Sequence, residues 1–178
     1  MATTNPLPMD PIAEAKRQWL DHGWASAANG MAAVTSIMRA QQLMLGRVEA
    51  LLKQFELSFA RYEMLTLLSF SHDGMLPMAS AGARLQVHPT SVTNIVDRLE
   101  RDELVRREAH PTDGRATLLV LTDEGRALAE RAAKVLNADV FGRPGLDDDD
   151  ITTLVQILAR FRRQAGDFID PPTFPDPL

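Results

Sequence analysis

The sequence predicts a mainly α fold with a single β-hairpin set into it. Three observations carry this prediction. From about Ala28 to Gln54 the apolar residues Met31, Val34, Met38, Leu45, Val48, Leu52 and Phe55 recur at alternating intervals of three and four, interrupted only by Gln41. A second, shorter amphipathic segment opens at His88-Pro89, with Val92, Ile95, Val96 and Leu99 on one side. An extended run then ends at Ala109, a turn carries Pro111 and Asp113-Gly114, and Ala116 to Leu121 returns as an apolar strand.

Composition sets the bounds. The chain has 178 residues, 45% of them hydrophobic, enough for one domain or one domain with an extension. No apolar run approaches membrane-spanning length, and MATTNPLPMD lacks the basic flank and apolar stretch of a signal peptide, so a soluble, cytoplasmic protein is expected. The absence of cysteine excludes disulfides, thiolate metal sites and thiol redox sensing. The four histidines, at 22, 72, 88 and 110, have no metal-ligand spacing. No Gly-rich phosphate loop or nucleophile elbow is present, so neither an enzyme nor a cofactor is expected.

Residues 1–9 are Pro-rich and polar and are expected to be mobile and disordered. Asp10-Pro11 starts a helix of about three turns ending near Gly23, with Asp10 as N-cap. Trp19 and Trp24 at its end serve either core packing or ligand contact, and core packing is favoured because buried area dominates what Trp contributes. The long 28–54 helix carries a second stripe, Ile37, Met44 and Leu51; one stripe suits the chain's own domain and the other a partner subunit, the alternative being a large monomer core. Ser58 caps the next helix, which ends in the Ser71-His72-Asp73-Gly74 turn. Pro77 to Leu85 reads as a short helix of small residues, able to cross a neighbour closely, and Gln86-Val87-His88 as the turn to the helix that begins at Pro89. Thr122 caps a helix that is broken at Phe141-Gly-Arg-Pro-Gly. The acids Asp147 to Asp150 open the last helix, where capping and the macrodipole explain them better than a metal site does.

The polar face of the 89–101 helix and the hairpin behind it form the candidate site. Thr90, Ser91, Thr93 and Asn94 are short side chains that can reach phosphates or base edges without pushing the helix away. A close pair of helices followed by an Arg-bearing hairpin is how a winged helix-turn-helix meets DNA. Charge gives no help: the net charge is −5, and residues 84–115 hold six Arg against six Asp or Glu. The reading therefore needs Arg98, Arg106, Arg107 and Arg115 on one surface, with the acids elsewhere. His88 and His110 flank that surface either as phosphate contacts or as plain turn residues. The rival reading is a winged helix used as a protein-interaction module, with the 90–94 face and Arg115 idle.

Residues 28–165 resemble the MarR family of bacterial transcription regulators. The resemblance is carried by Asp97-Arg98-Leu99-Glu100 closing the recognition helix, Leu104-Val105-Arg106 entering the wing, Asp113-Gly114-Arg115 at its tip, and Leu121-Thr122-Asp123-Glu124-Gly125 starting the next helix. Glu103 stands where the family usually has Gly, and Gly114 where a second Arg is common. The resemblance implies a homodimeric repressor whose terminal helices interlock and whose two winged domains enter successive major grooves of a pseudo-palindrome, roughly one turn apart. It assigns Arg115 to the minor groove and Asp113 to shaping the wing tip. It also implies release by a small aromatic effector bound between the dimerisation helices and the winged domain, with Trp19, His22, Trp24 and Tyr62 as candidate lining. An extra N-terminal helix occurs in a urate-responsive branch, but Ile95 and Glu63 stand where that branch has Arg and Asp. The expected organisation is a tail at 1–9, N-terminal helices at 10–56, the winged helix-turn-helix at 57–121, C-terminal dimerisation helices at 122–166 and a Pro-rich tail at 167–178. Double-stranded DNA is the expected partner, placing the protein on the nucleoid.

Overall fold

The computed structural model describes residues 6–85, 88–113 and 116–169. Its elements run in the order α1 (Pro11–Asp21), α2 (Ala25–Leu52), α3 (Phe59–Phe70), β1 (Met75–Pro77), α4 (Met78–Leu85), α5 (Pro89–Arg101), β2 (Val105–Ala109), β3 (Thr117–Leu121), α6 (Asp123–Leu136) and α7 (Asp148–Gln164). The chain divides into two compact units, Met1–Ala50 and Leu51–Leu178.

In the first unit, Asp10 caps α1 by accepting the Ile12 N–H at 2.9 Å, as the Asp-Pro pair predicts. The expected burial of the Trp pair is not what forms. No residue of α1 is buried, and Trp24 is 53% exposed. The two indoles instead pack edge to face, 5.4 Å apart. Along α2, Val34, Ile37, Met38, Leu43 and Met44 are all exposed.

The second unit holds the main core. Tyr62, Met64, Leu65 and Leu68 of α3 are buried, and α3 packs on α5, α6 and β3. The sheet corrects the two-stranded hairpin of the sequence reading. β1 pairs antiparallel with β3, giving the order β1-β3-β2, and Pro77 closes this strand rather than opening α4. Proline suits the position because β1 is an edge strand.

The crossing of α4 and α5 depends on small residues. Ala81 and Gly82 are buried, and a Cβ at Gly82 would meet Val92 Cγ2 at 3.0 Å. The start of α6 is tighter still. Thr122 Oγ1 accepts the Gly125 N–H at 3.0 Å and lies 2.9 Å from the Glu103 carbonyl, to which it donates. A Cβ at Gly125 would stand 2.1 Å from the Leu104 carbonyl oxygen, so only glycine fits there.

The turn between α5 and β2 is a Schellman motif. The Glu103 N–H reaches the Glu100 carbonyl at 3.0 Å and the Leu104 N–H reaches Leu99 at 2.9 Å, while Leu99 and Leu104 are both buried. Glu103 takes φ 58°, the left-handed conformation that explains glycine at this place in the resemblance.

Candidate nucleic-acid interface

The outer face of α5 is built from its own periodicity. Val92, Val96 and Leu99 are buried, which turns Thr90, Ser91, Thr93, Asn94, Asp97, Arg98 and Arg101 outward. Ile95 is only half-buried. It lies in a groove of about 280 Å³ lined on one side by Ser91, Asn94 and Arg98 and on the other by Ser58, Ala60 and Arg61 at the start of α3. The helix begins at His88, whose Nδ1 accepts the Thr90 N–H at 3.3 Å. That imidazole caps the helix through Nδ1, and its ring is exposed.

Ion pairs decide how charge is distributed on this surface. Arg107 is drawn inward, donating to Asp97 at 2.6 Å and, through its other terminal nitrogen, to Glu100. Burial opposes the charge on this guanidinium, but its hydrogen bonds to the two carboxylates outweigh that and raise its pKa. Arg107 thus fastens β2 to α5 instead of standing out as a free cation. Arg106 points to the other face of β2 and pairs with Glu108 at 2.6 Å. Arg61 holds Asp102 and donates to the Glu56 carbonyl at 2.9 Å. Four of the six acids that make this segment formally neutral, Asp97, Glu100, Asp102 and Glu108, are therefore matched by arginines. Arg98 is exposed and enters no ion pair with a described residue.

The wing follows from the register of Val105 with Leu121 through Ala109 with Thr117. Its turn is organised by His110. Nδ1 of that ring accepts the Asp113 N–H at 3.2 Å and the Thr112 N–H at 3.4 Å, and the Ala116 N–H closes on the Asp113 carbonyl at 3.0 Å. Asp113 is exposed at this turn. Gly114 and Arg115, the tip residue expected in the minor groove, lie outside the described residues.

A second feature of this unit is a cleft of about 520 Å³ between α3 and α6. Tyr62 lines it, stacked on Phe59 with ring centroids 6.3 Å apart. Glu63 and Glu130 also line it, as do Phe70 and Phe141, which are largely exposed. Burial raises the pKa of Glu63. The other candidate lining residues belong to the first unit, where Trp19, His22 and Trp24 form their own cluster, His22 and Trp24 lying 5.5 Å apart.

Comparison with known proteins fits this geometry. The model of the MarR family matches residues 61–117. The crystal structure of Sco5413, a MarR family transcriptional regulator from Streptomyces coelicolor, superposes with a TM-score of 0.72 at 49% identity, over 80% of this chain and 99% of that one. The chain belongs to the MarR family. It is thus a member of a family of DNA-binding transcriptional regulators. This MarR-family chain is also 31% identical over 86 residues to the HTH-type transcriptional regulator YhbI of Bacillus subtilis, a match over 48% of the chain and about half, 54%, of that protein. The structure of the transcriptional repressor CouR bound to a 23-mer DNA duplex is similar at 26% identity and a TM-score of 0.65, over 71% of this chain and 89% of CouR.

Within the MarR fold, Ser58, Ala60 and Arg61 are groove residues that the sequence reading did not single out as such. Ser58 was legible as a helix cap, and it does accept the Arg61 N–H at 3.4 Å. Its place opposite Asn94 is a product of tertiary packing, for which a single sequence carries no signal. No described helix of this MarR regulator is long and apolar enough to cross a membrane.

Proposed function

We propose that this MarR-family regulator is a homodimeric repressor that binds a pseudo-palindromic DNA site and is released by a small-molecule effector. The observation that carries the DNA reading is the groove where Ser91, Asn94 and Arg98 of α5 face Ser58 and Arg61 of α3, with Arg98 unpaired among the described residues. Short polar groups on a helix that enters the major groove read bases and seat phosphates. Thr90, Thr93, Arg106, Asp113 and Arg115 complete the proposed contact set, and Arg107 is left out because its guanidinium serves the fold. The likeness to CouR, a repressor bound to a duplex, supports the direction of control. Exposed apolar residues on α2 and α7, among them Met38, Val155 and Phe161, support a second copy as partner. The aromatic cleft lined by Tyr62 supports the effector. In the cell such a protein works at the nucleoid.

Fluorescence anisotropy against the DNA upstream of the chain's own gene, across a salt series, tests this reading. One dimer per site is expected, with log affinity falling steeply against log salt. Asn94→Ala should cost about 1–3 kcal/mol at one base pair if Asn94 reads a base. Absence of binding to any DNA at low salt, genomic selection included, would replace the regulator with an interaction module.

A further inference from the structure

The cleft between α3 and α6 is lined in a way that selects ligand charge, and its regulatory meaning rests on the proposed function, in which it is the effector site. Four aromatic rings border it, those of Phe59, Tyr62, Phe70 and Phe141. Two carboxylates also line it, the half-buried Glu63 and the exposed Glu130, and none of the described lining residues is a lysine, arginine or histidine. Neither carboxylate is paired with a described cation. Thr66 adds a buried hydroxyl, Oγ1, with no hydrogen-bond partner among the described residues.

The rings and the carboxylates favour the same sign. Aromatic faces carry negative potential and attract cations, more strongly when the pair is desolvated. A half-buried carboxylate without a counter-ion gains from a ligand that brings one, and burial already holds the Glu63 carboxyl above the usual carboxylate range. An aromatic acid, by contrast, would set its carboxylate beside two like charges with no lysine or arginine to receive it. We infer that the cleft takes a hydrophobic organic cation, an aromatic amine or quaternary ammonium, in preference to an aromatic acid. The aromatic part lies against Phe59 and Tyr62 and the cationic head against Glu63 and Glu130.

The test is calorimetric titration of the full chain with three probes: benzyltrimethylammonium, its uncharged isostere neopentylbenzene, and salicylate. The cation should bind roughly tenfold more tightly than the isostere, a difference of about 1.4 kcal/mol. E63Q/E130Q should remove most of that preference, the rings keeping the remainder, E63Q alone should remove a smaller part, and A133W, which fills the cleft, should abolish binding of both cation and isostere. Equal affinity for cation and isostere overturns the inference on the wild-type protein alone, whether or not the variants fold. Salicylate binding more tightly than the cation, and lost in A133W, overturns the charge selection while sustaining an effector cleft. Binding of none of the three probes overturns both.

Discussion

Glu103 occupies a conformation that its side chain disfavours. At φ 58° it closes the Schellman turn between α5 and β2, where a residue without a Cβ carries no strain. Glu103→Gly is therefore expected to raise stability by about 1 kcal/mol in urea unfolding; a loss of stability would show that the glutamate side chain makes a compensating contact. Glu63 offers a second test at this scale. Burial raises its folded-state pKa above the unfolded value, so the folded protein holds this proton more tightly and gains stability as pH falls through that range. Glu63→Gln should accordingly raise the unfolding temperature near neutrality. The gain should vanish below about pH 4, where the carboxyl is protonated in both states. An equal gain at both pH values would remove ionisation as its cause.

At the scale of elements, the recognition helix and wing separate two kinds of arginine. Arg98 stands free on α5 among the described residues, whereas Arg107 ties β2 to Asp97 and Glu100. Arg98→Ala should weaken DNA binding and lower the salt slope by about one, with the melting temperature unchanged. Arg107→Ala should cost about 1–2 kcal/mol of stability, because it leaves two carboxylates without their partner. Reversed effects in the two variants, read by thermal melts and anisotropy, would exchange their roles. This distinction was not legible in the sequence, where both are arginines in a segment of balanced charge. What was legible was local. The Asp10, Ser58 and Thr122 caps, the Gly82 crossing and the 105–121 hairpin all follow from patterns within a few residues. β1 left no such pattern. Three residues are too few to show a period, and Pro77 reads equally well as a helix start.

For the whole molecule, the decisive feature is how much apolar surface a single copy leaves exposed. Val34 and Met38 on α2 and Val155 and Phe161 on α7 are each between 58% and 62% exposed. If these faces meet a second copy, Met38→Asp combined with Phe161→Asp should give a monomer in sedimentation and abolish tight DNA binding, since one winged unit keeps only half the contacts. A double variant that stays dimeric would locate the interface elsewhere. The amphipathic pattern predicted that such stripes exist. Which of them a single copy buries depends on packing between distant segments, and periodicity carries no information on that.

The Gly82–Val92 approach has a mechanical consequence for regulation. A notional methyl group at Gly82 would stand 3.0 Å from Val92 Cγ2, so α4 and α5 meet here with no room for a side chain, and parting them would open a void between them. Under the proposed function, this packing favours a signal that swings the two helices together, like the end of a lever arm. If the proposed effector acts on the proposed dimer, it would then alter the spacing and tilt between two reading heads on the duplex, while the shape of each head stays the same.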